Sequence, residues 1–309
     1  MHRRPMAETC LSRFLHPRWW LTWIGLGFMR GVSWLPLPVI ALFGRALGML
    51  LYALHASRRH VVHVNIRLCF PELSPSAQAR IARKHFRAFG QTLLDIGIGW
   101  WASESRLRRL THFRGREHYD QALREKKNII LLAPHFLGLD IGGIRTSADR
   151  PVVSVFRHPD NKLLAHVMYR ARARFGAHLV EHNKPFTALV KQTKKGVPLY
   201  YLPDQDAGRR NSVFAPFFGI PAATFIVLPR LAEMTDAVVI PCITRQLSWG
   251  RGYEINFRPP LNNFPSGDPV ADTTRMNREI EEAVREMPEQ YFWLHKRFKT
   301  RPKGDPGFY

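Results

Sequence analysis

A histidine and a carboxylate stand five positions apart at the end of an apolar run, in the segment KKNIILLAPHFLGLD of residues 126–140. The apolar run 128–132 predicts a buried strand, because it is rich in Ile and Leu. Pro134 ends that strand, and the aliphatic residues after it can begin a helix. His135 is therefore predicted on the loop at the strand-to-helix junction, with Asp140 on the first turns of the helix.

That placement decides whether the two side chains can meet. Positions i and i+5 of a regular helix point about 140° apart, so a contact requires His135 to precede the helix. A histidine held by a carboxylate is a typical general base, because it titrates near neutral pH and the carboxylate fixes its tautomer. The alternative is a helix-capping histidine near a surface acid. A second pair of the same spacing, His112 and Glu117, lies in charged, aperiodic surroundings that predict a solvated loop.

Two further predicted strands end in charged side chains. The strand 151–157 ends in Arg157, and the strand 197–202 runs into LPDQDAGRR, which contributes four charged residues: Asp204, Asp206, Arg209 and Arg210. Ligands of open α/β sheets gather beyond the carboxyl ends of the strands, so these residues and His135 predict one common site. Taken singly, the arginine after the first strand could be a surface cation, and the two aspartates a turn-forming pair.

The composition limits the partners of the chain. Its 309 residues are 45% hydrophobic, enough for one large core or two modest ones. The 46 basic residues against 24 acidic ones give a net charge of +22, which predicts a polyanionic partner: a nucleic acid, an anionic membrane surface or an acidic protein. Cys10, Cys69 and Cys242 are widely spaced, which fits neither a disulfide framework nor a zinc site, and no other metal-ligand cluster stands out.

Residues 1–57 predict a hydrophobic membrane anchor. Eight arginines and a single acid fall within residues 1–60, and tryptophan-rich apolar runs lie between those arginines. Tryptophan and arginine together favour the headgroup region of a bilayer. The run 19–29 is shorter than the roughly 20 residues that a spanning helix requires, and the run 31–56 is interrupted by prolines and Arg45. Either one helix spans the bilayer or two helices lie in its interface, with a buried pair of soluble helices as the alternative.

The rest of the chain, residues 58–309, predicts an α/β domain. Two helices come first, and from about residue 110 short apolar segments alternate with amphipathic ones, which indicates a central, mostly parallel sheet with flanking helices. The predicted strands are 128–133, 151–157, 177–181, 197–202, 236–246 and 251–257, and the predicted helices are 58–69, 74–101, 138–147, 160–174, 184–195, 221–234 and 270–287.

Four segments of the chain resemble the lipid A biosynthesis acyltransferase family: APHFLGLD (133–140), SVFRHPDN (154–161), LPDQDAGRRNSVFAPFFGIPAAT (202–224) and EQYFWLHKRFKTRPKGDPGFY (289–309). The resemblance implies the glycerolipid-acyltransferase-like fold, in which a His-x4-Asp/Glu pair is catalytic. His135 then corresponds to the base and Asp140 to its orienting carboxylate. Arg157 corresponds to an active-site arginine and Asp204 to the acid of a Pro-Asp-Gln motif. The arginine motif of the family usually reads Tyr-Arg-Pro, whereas Phe and His flank the arginine here.

The resemblance also implies a reaction. It is that of a membrane-bound O-acyltransferase that moves a fatty acyl chain from an acyl carrier protein thioester to a hydroxyacyl chain of a lipid A precursor, without metal or cofactor. No nucleophilic Ser or Cys stands out, which favours direct transfer. Four residues are expected to bind the substrate: Arg157, Asp204, Asp206 and Arg209. Arg157 could stabilise the oxyanion or hold a phosphate of the acceptor. The family works at the bacterial inner membrane, with the active domain expected on the cytoplasmic face.

The charge has a use in that reaction, since the acceptor, the carrier protein and the membrane surface are all anionic. Nucleic acid is not an expected partner, because no motif that reads DNA or RNA is present. Three alternatives remain: an acyltransferase for another glycolipid or phospholipid, with coenzyme A as a donor; a membrane-tethered nucleic-acid-binding protein; and a hydrolase that uses the same pair. An acyl-chain groove is expected near Phe214, Phe217, Phe218 and Phe225, unless these pack in the core. The run YFWLHKRFKTRPK predicts an interface segment or a terminal helix.

Overall fold

A computed structural model describes residues 11–210 and 212–309 of the chain, so that Cys10 and the start of the predicted anchor lie outside the described residues. The helices are α1 (Trp20–Val32), α2 (Leu37–Leu54), α3 (Ala56–Cys69), α4 (Pro75–Trp101), α5 (Glu104–Leu110), α6 (Arg116–Arg124), α7 (Leu139–Asp149), α8 (Lys162–Ala173), α9 (Thr187–Thr193), α10 (Val227–Thr235) and α11 (Pro269–Glu286). The strands are β1 (Thr111–Arg114), β2 (Asn128–Leu132), β3 (Val153–Phe156), β4 (His178–Glu181), β5 (Leu199–Tyr201), β6 (Ser212–Phe217), β7 (Ile220–Phe225), β8 (Ala237–Gln246) and β9 (Tyr253–Phe257).

Seven of the strands form one sheet in the order β1-β9-β8-β2-β5-β3-β4. Every neighbouring pair is parallel except β8 with β9, which confirms the predicted α/β architecture. The central strand β2 alternates between two cores: Ile130 and Leu132 join one buried cluster, and Ile129 and Leu131 join another. Both faces of the strand are therefore covered, which explains why its sequence is a continuous apolar run.

Two predictions about local structure are wrong. The helix predicted over 221–234 begins only at Val227, because β6 and β7 form an antiparallel hairpin whose turn places Phe218 and Gly219 at φ 51° and 76°. The surroundings of His112, predicted as a loop, form β1, a four-residue strand at one end of the sheet that pairs with β9. Both errors concern pairings that need a partner strand, which local sequence patterns do not identify.

The helix α2 lies along α4 in close backbone contact. A Cβ atom on Gly48 would come within 2.0 Å of the Phe86 carbonyl oxygen, and one on Gly90 within 2.2 Å of the Gly44 carbonyl oxygen, so these positions require glycine. Among the described residues, α2 is the one helix long and apolar enough to cross a membrane, with a mean hydropathy of 1.9. Only 28% of it is buried, and its outer face exposes Leu42, Phe43, Leu50 and Leu54. The helix is thus attached on one side and uncovered on the other.

The segment after α11 folds back into the core and does not form the terminal helix that the sequence offered as one alternative. Trp293, Arg297 and Phe298 are at most 1% exposed. The side-chain amide of Asn65, on α3, donates to the carbonyl oxygens of Trp293 and His295, both at 2.8 Å. Two of the four phenylalanines considered for an acyl groove, Phe217 and Phe218, pack in the same core.

Candidate active site

His135 and Asp204 form a two-point contact at the carboxyl edge of the sheet. The ring Nδ1–H of His135 donates to Asp204 Oδ1 at 2.7 Å, and its backbone N–H donates to Asp204 Oδ2 at 2.9 Å. The two residues follow the adjacent parallel strands β2 and β5, so the sheet itself brings them together. The His135 side chain is 22% exposed and that of Asp204 only 1%. The imidazole is therefore reachable from solvent while its carboxylate partner is not.

This contact favours the ionised form of Asp204 and fixes the tautomer of the His135 ring. Burial alone raises the pKa of Asp204, but the charge of His135 and its two hydrogen bonds outweigh burial and hold that pKa below the ordinary value. A carboxylate accepts hydrogen bonds only, so the neutral ring carries its proton on Nδ1. Nε2 is then left with a free lone pair, which is the state that a general base needs.

The C-terminal segment fixes the loop that carries His135. The Phe292 backbone N–H donates to the His135 carbonyl oxygen at 2.9 Å, and the Leu137 N–H donates to the Gln290 carbonyl oxygen at 2.9 Å. The ring of Tyr291 packs edge-on against Phe136, with centroids 5.6 Å apart. The histidine is thus held from the Asp204 side and from the chain terminus, and a rigid support of this kind preserves the geometry of a site.

Asp140 takes a different place from the one expected. It lies in the first turn of α7, as predicted, but its Oδ1 accepts from Arg172 Nη2 of α8 at 2.6 Å. The contact expected between His135 and Asp140 is made instead by Asp204, because Arg172 engages the Asp140 carboxylate while β5, the strand next to β2, brings Asp204 to the ring. The Asp140–Arg172 pair borders a narrow cavity of about 80 Å³ that also touches Leu202, two residues before Asp204.

The remaining predicted residues are three exposed arginines and one half-buried aspartate. Arg157 is exposed after β3, the strand beside β5, so three adjacent strands do end in His135, Asp204 and Arg157. Arg209 and Arg210 are exposed on the loop before β6. Asp206 accepts from the backbone N–H and the hydroxyl of Thr300, both at 2.9 Å, which ties the loop to the C-terminal segment.

His295 is a residue of this region that the sequence alone did not single out. Its Nε2 accepts from the Asp206 backbone N–H at 2.8 Å. Burial, followed by the charges of Arg297 and His135, lowers the pKa of His295 to about 4, so the ring is neutral at physiological pH. The only signal for it was its position in the run YFWLHKR, because a loop contact between distant segments leaves no periodic pattern. Arg172, the partner of Asp140, carried no signal at all.

An apolar cavity of about 550 Å³ lies next to this site. Its walls come from α2, the start of α3, α4 and the C-terminal segment: Leu51, His55, Arg58, Phe86, Phe89, Leu93, Phe292, Leu294 and His295. Phe86, Phe89 and Leu93 share one face of α4 through their spacing of three and four residues. Phe292 connects the cavity to the site, since its own N–H holds the His135 carbonyl. The cavity has the volume of a small-molecule site and walls that suit a hydrocarbon chain.

The fold and the site together define an α/β protein with an accessible, carboxylate-bound histidine at the edge of its sheet and an apolar cavity beside it. No three His, Cys, Asp or Glu side chains could hold a metal ion in the part of the chain that the structure describes.

Comparison with known proteins identifies the class. Residues 9–300 match the model of the bacterial lipid A biosynthesis acyltransferase family. The chain is 37% identical to the lipid A biosynthesis lauroyltransferase of Escherichia coli (strain K12), over 100% of both chains. It is 31% identical to the palmitoleoyltransferase of that organism over 96% of both chains, and 30% identical to its myristoyltransferase over 94% of this chain and 91% of the relative. The protein is an acyltransferase, and it belongs to the bacterial lipid A biosynthesis acyltransferase family.

Proposed function

We propose that this protein transfers a fatty acyl chain from an acyl carrier protein thioester to a hydroxyl group on an acyl chain of a lipid A precursor. The observation that carries the chemistry is the two-point contact between His135 and Asp204, with Nδ1 to Oδ1 at 2.7 Å. It leaves Nε2 free to accept a proton. The acceptor follows from the family and from relatives named for lipid A biosynthesis.

The transfer proceeds in one displacement at the thioester carbonyl. His135 Nε2 takes the proton of the acceptor hydroxyl while its oxygen attacks, which forms the new C–O bond. The tetrahedral intermediate then expels the thiolate, the C–S bond breaks, and the imidazolium returns its proton to the sulfur. Asp204 stabilises the imidazolium because it is already ionised and already bound to Nδ1. Asp140 would have an indirect part, because its ion pair with Arg172 holds α7 against α8.

The apolar cavity beside His135 would take the acyl chain of the donor. Each methylene that leaves water for such a wall contributes about 0.8 kcal/mol, so the depth of the cavity would select the chain length. Arg157 and Arg209 are exposed at the same edge of the sheet and would bind the phosphates of the acceptor or the acidic surface of the carrier protein.

The enzyme would work at the cytoplasmic face of the bacterial inner membrane. Residues 1–57 would form the anchor and residues 58–309 the transferase domain. The exposed apolar side chains of α2 support this arrangement, since a contiguous apolar surface of that kind marks a membrane or protein contact. The net charge of +22 favours an anionic bilayer surface as the partner.

The test uses membranes that contain the wild type, His135→Ala or His112→Ala. His112 is a matched control because it has the same spacing to an acid but lies exposed on β1. Each preparation receives labelled acyl carrier protein thioester and the tetra-acylated precursor, and the products are identified by mass spectrometry. We expect the wild type and His112→Ala to add one acyl chain, and His135→Ala to be slower by about 10²–10⁴-fold. Full activity of His135→Ala would disprove the assigned base. Transfer only to glycerolipids or other glycolipids would disprove the acceptor.

A further inference from the structure

The turn between β8 and β9 carries an exposed tryptophan in an unusual backbone conformation. Trp249 has φ 58° and ψ 31°, in the left-handed region that bulky residues rarely occupy, and its side chain is 60% exposed. The next residue, Gly250, has φ 70°, and a Cβ atom there would lie 2.5 Å from the Leu37 carbonyl oxygen. The turn is therefore pressed against the start of α2 and holds a large aromatic ring outward, which is an arrangement typical of a functional position.

Trp249 lines a basic cleft formed by α2, α4, this turn and residues 289–290. The guanidinium of Arg45 stacks 4.2 Å from the centroid of the Trp249 ring, and Lys84 lines the same cleft. Arg87 lies close enough that its charge, after burial, lowers the pKa of Arg45. The cleft contains one acid, Glu289, and has a volume of about 170 Å³. None of these three cations forms an ion pair within the described ranges 11–210 and 212–309. The lining, with Arg45 and Lys84 against Glu289, thus carries a net positive charge, and the nearby Arg87 adds to it.

The cleft is continuous with the uncovered apolar face of α2. Leu42 is 59% exposed and precedes Arg45 by three residues, so the two side chains are neighbours on the helix surface. Trp249 lies outside the predicted anchor, residues 1–57. Because it stacks on Arg45 of α2, it enlarges the exposed face of that helix. An aromatic ring beside a cation, next to an apolar surface, is the arrangement that the headgroup layer of a bilayer favours.

We propose that the cleft between Arg45, Lys84 and Trp249 binds the phosphate of an anionic glycerophospholipid while the Trp249 ring enters the headgroup layer of the same bilayer. The phosphate would complement the positive charge, and the lipid tails would continue along Leu42 and the outer face of α2. The catalytic domain would then contact the membrane at two places that are distant in the sequence, α2 and the β8–β9 turn. Two such contacts fix the orientation of the domain, which one helix alone does not.

The first experiment measures binding of the full-length protein to vesicles of phosphatidylcholine, with and without phosphatidylglycerol. We expect Lys84→Gln and Arg45→Gln each to reduce the preference for phosphatidylglycerol by about fivefold, the effect of one basic residue near an anionic surface. Lys84 is exposed, so its replacement does not disturb packing. The control is the double variant Arg124→Gln/Lys126→Gln, which removes two exposed charges near the start of β2, at the opposite edge of the sheet. Equal preference in the wild type and both cleft variants would overturn the proposal.

The second experiment reports on the ring of Trp249. The fluorescence of Trp249→Phe is subtracted from that of the wild type, each on vesicles whose phosphatidylglycerol carries brominated chains. We expect the difference signal to be quenched, because the ring lies in the headgroup layer. No quenching on vesicles that bind the protein would refute the membrane contact. Inorganic phosphate is then added, and abolition of the phosphatidylglycerol preference by phosphate equimolar with the lipid would indicate a free-anion site and would equally refute it.

Discussion

The variant Asp204→Asn tests which carboxylate orients His135. The candidates are Asp204, which contacts the ring, and Asp140, which the motif spacing predicted. The two oxygens of Asp204 accept from two donors, the ring Nδ1–H and the backbone N–H of His135. An asparagine offers one acceptor and one NH2 group to those same donors. With its oxygen toward the ring, its NH2 faces the backbone N–H. With the amide flipped, its NH2 donates to Nδ1 and the ring proton moves to Nε2.

Both orientations are costly, and for different reasons. The first orientation leaves the backbone N–H of His135 without an acceptor, which costs about 1–3 kcal/mol of stability. The second removes the lone pair that takes the hydroxyl proton, and a reversed tautomer in a histidine–carboxylate pair reduces turnover by about 10⁴-fold. We therefore expect kcat of Asp204→Asn to fall by about 10³–10⁴-fold. The Asp140–Arg172 pair is partly exposed, so it contributes at most about 1 kcal/mol to stability. Even if all of this served the transition state, Asp140→Asn should lower kcat by no more than about fivefold.

The assay is acyl transfer under saturating donor, as a function of pH, with thermal unfolding measured alongside. Because the pKa of Asp204 is lowered in the folded protein, its ionised form stabilises the fold fully above its ordinary value of 3.8, and this contribution is lost as the pH falls through the lower folded value. The stability difference between wild type and Asp204→Asn should therefore be largest near neutral pH and should narrow in acid. If Asp140→Asn loses as much activity as Asp204→Asn, or if Asp204→Asn keeps wild-type turnover, the assignment of the orienting carboxylate is wrong.

Two further variants test the surroundings of the site. Burial raises the pKa of Asp95 to about 7 from 3.8, so the wild type loses stability as the pH rises through that interval, and Asp95→Asn should gain up to about 4 kcal/mol above pH 7. Thermal unfolding at about pH 5 and about pH 8 measures this, and an equal destabilisation at both values would contradict it. Leu93→Trp narrows the apolar cavity, so the preference for longer over shorter acyl chains should fall by about tenfold or more in competition assays. An unchanged chain-length profile would place the acyl chain elsewhere.

The sequence predicted the parts of the site that depend on strand ends. Apolar runs identified β2, β3 and β5, and the residues just after them, His135, Arg157 and Asp204, do follow three adjacent strands. Parallel strands with short connections carry this information locally. The same reasoning correctly placed His135 on a loop before α7 and Asp140 in the first turn of that helix.

What the sequence did not predict was which carboxylate reaches the ring. Spacing favoured Asp140, which is five residues from His135, over Asp204, which is 69 residues away. The choice depends on the direction in which α7 leaves the sheet and on Arg172, which lies on another helix and engages Asp140 at 2.6 Å. The contacts of His295, Phe292 and Asn65 were missed for the same reason, because loop-to-loop hydrogen bonds leave no periodicity in the sequence.

The position of α2 connects the membrane face with the chemistry. Its glycines allow α4 to approach until backbone atoms touch, and α4 in turn supplies Phe86, Phe89 and Leu93 to the cavity beside His135. Leu51 of α2 lines the same cavity, while Leu50 and Leu54 remain exposed on its outer side. One helix therefore contributes to the wall of the proposed acyl site and to the surface proposed to face the bilayer. In the proposed arrangement an acyl chain or an acceptor lipid would have only the width of that helix to cross, which would account for the close packing of α2, the most apolar helix among the described residues, against α4.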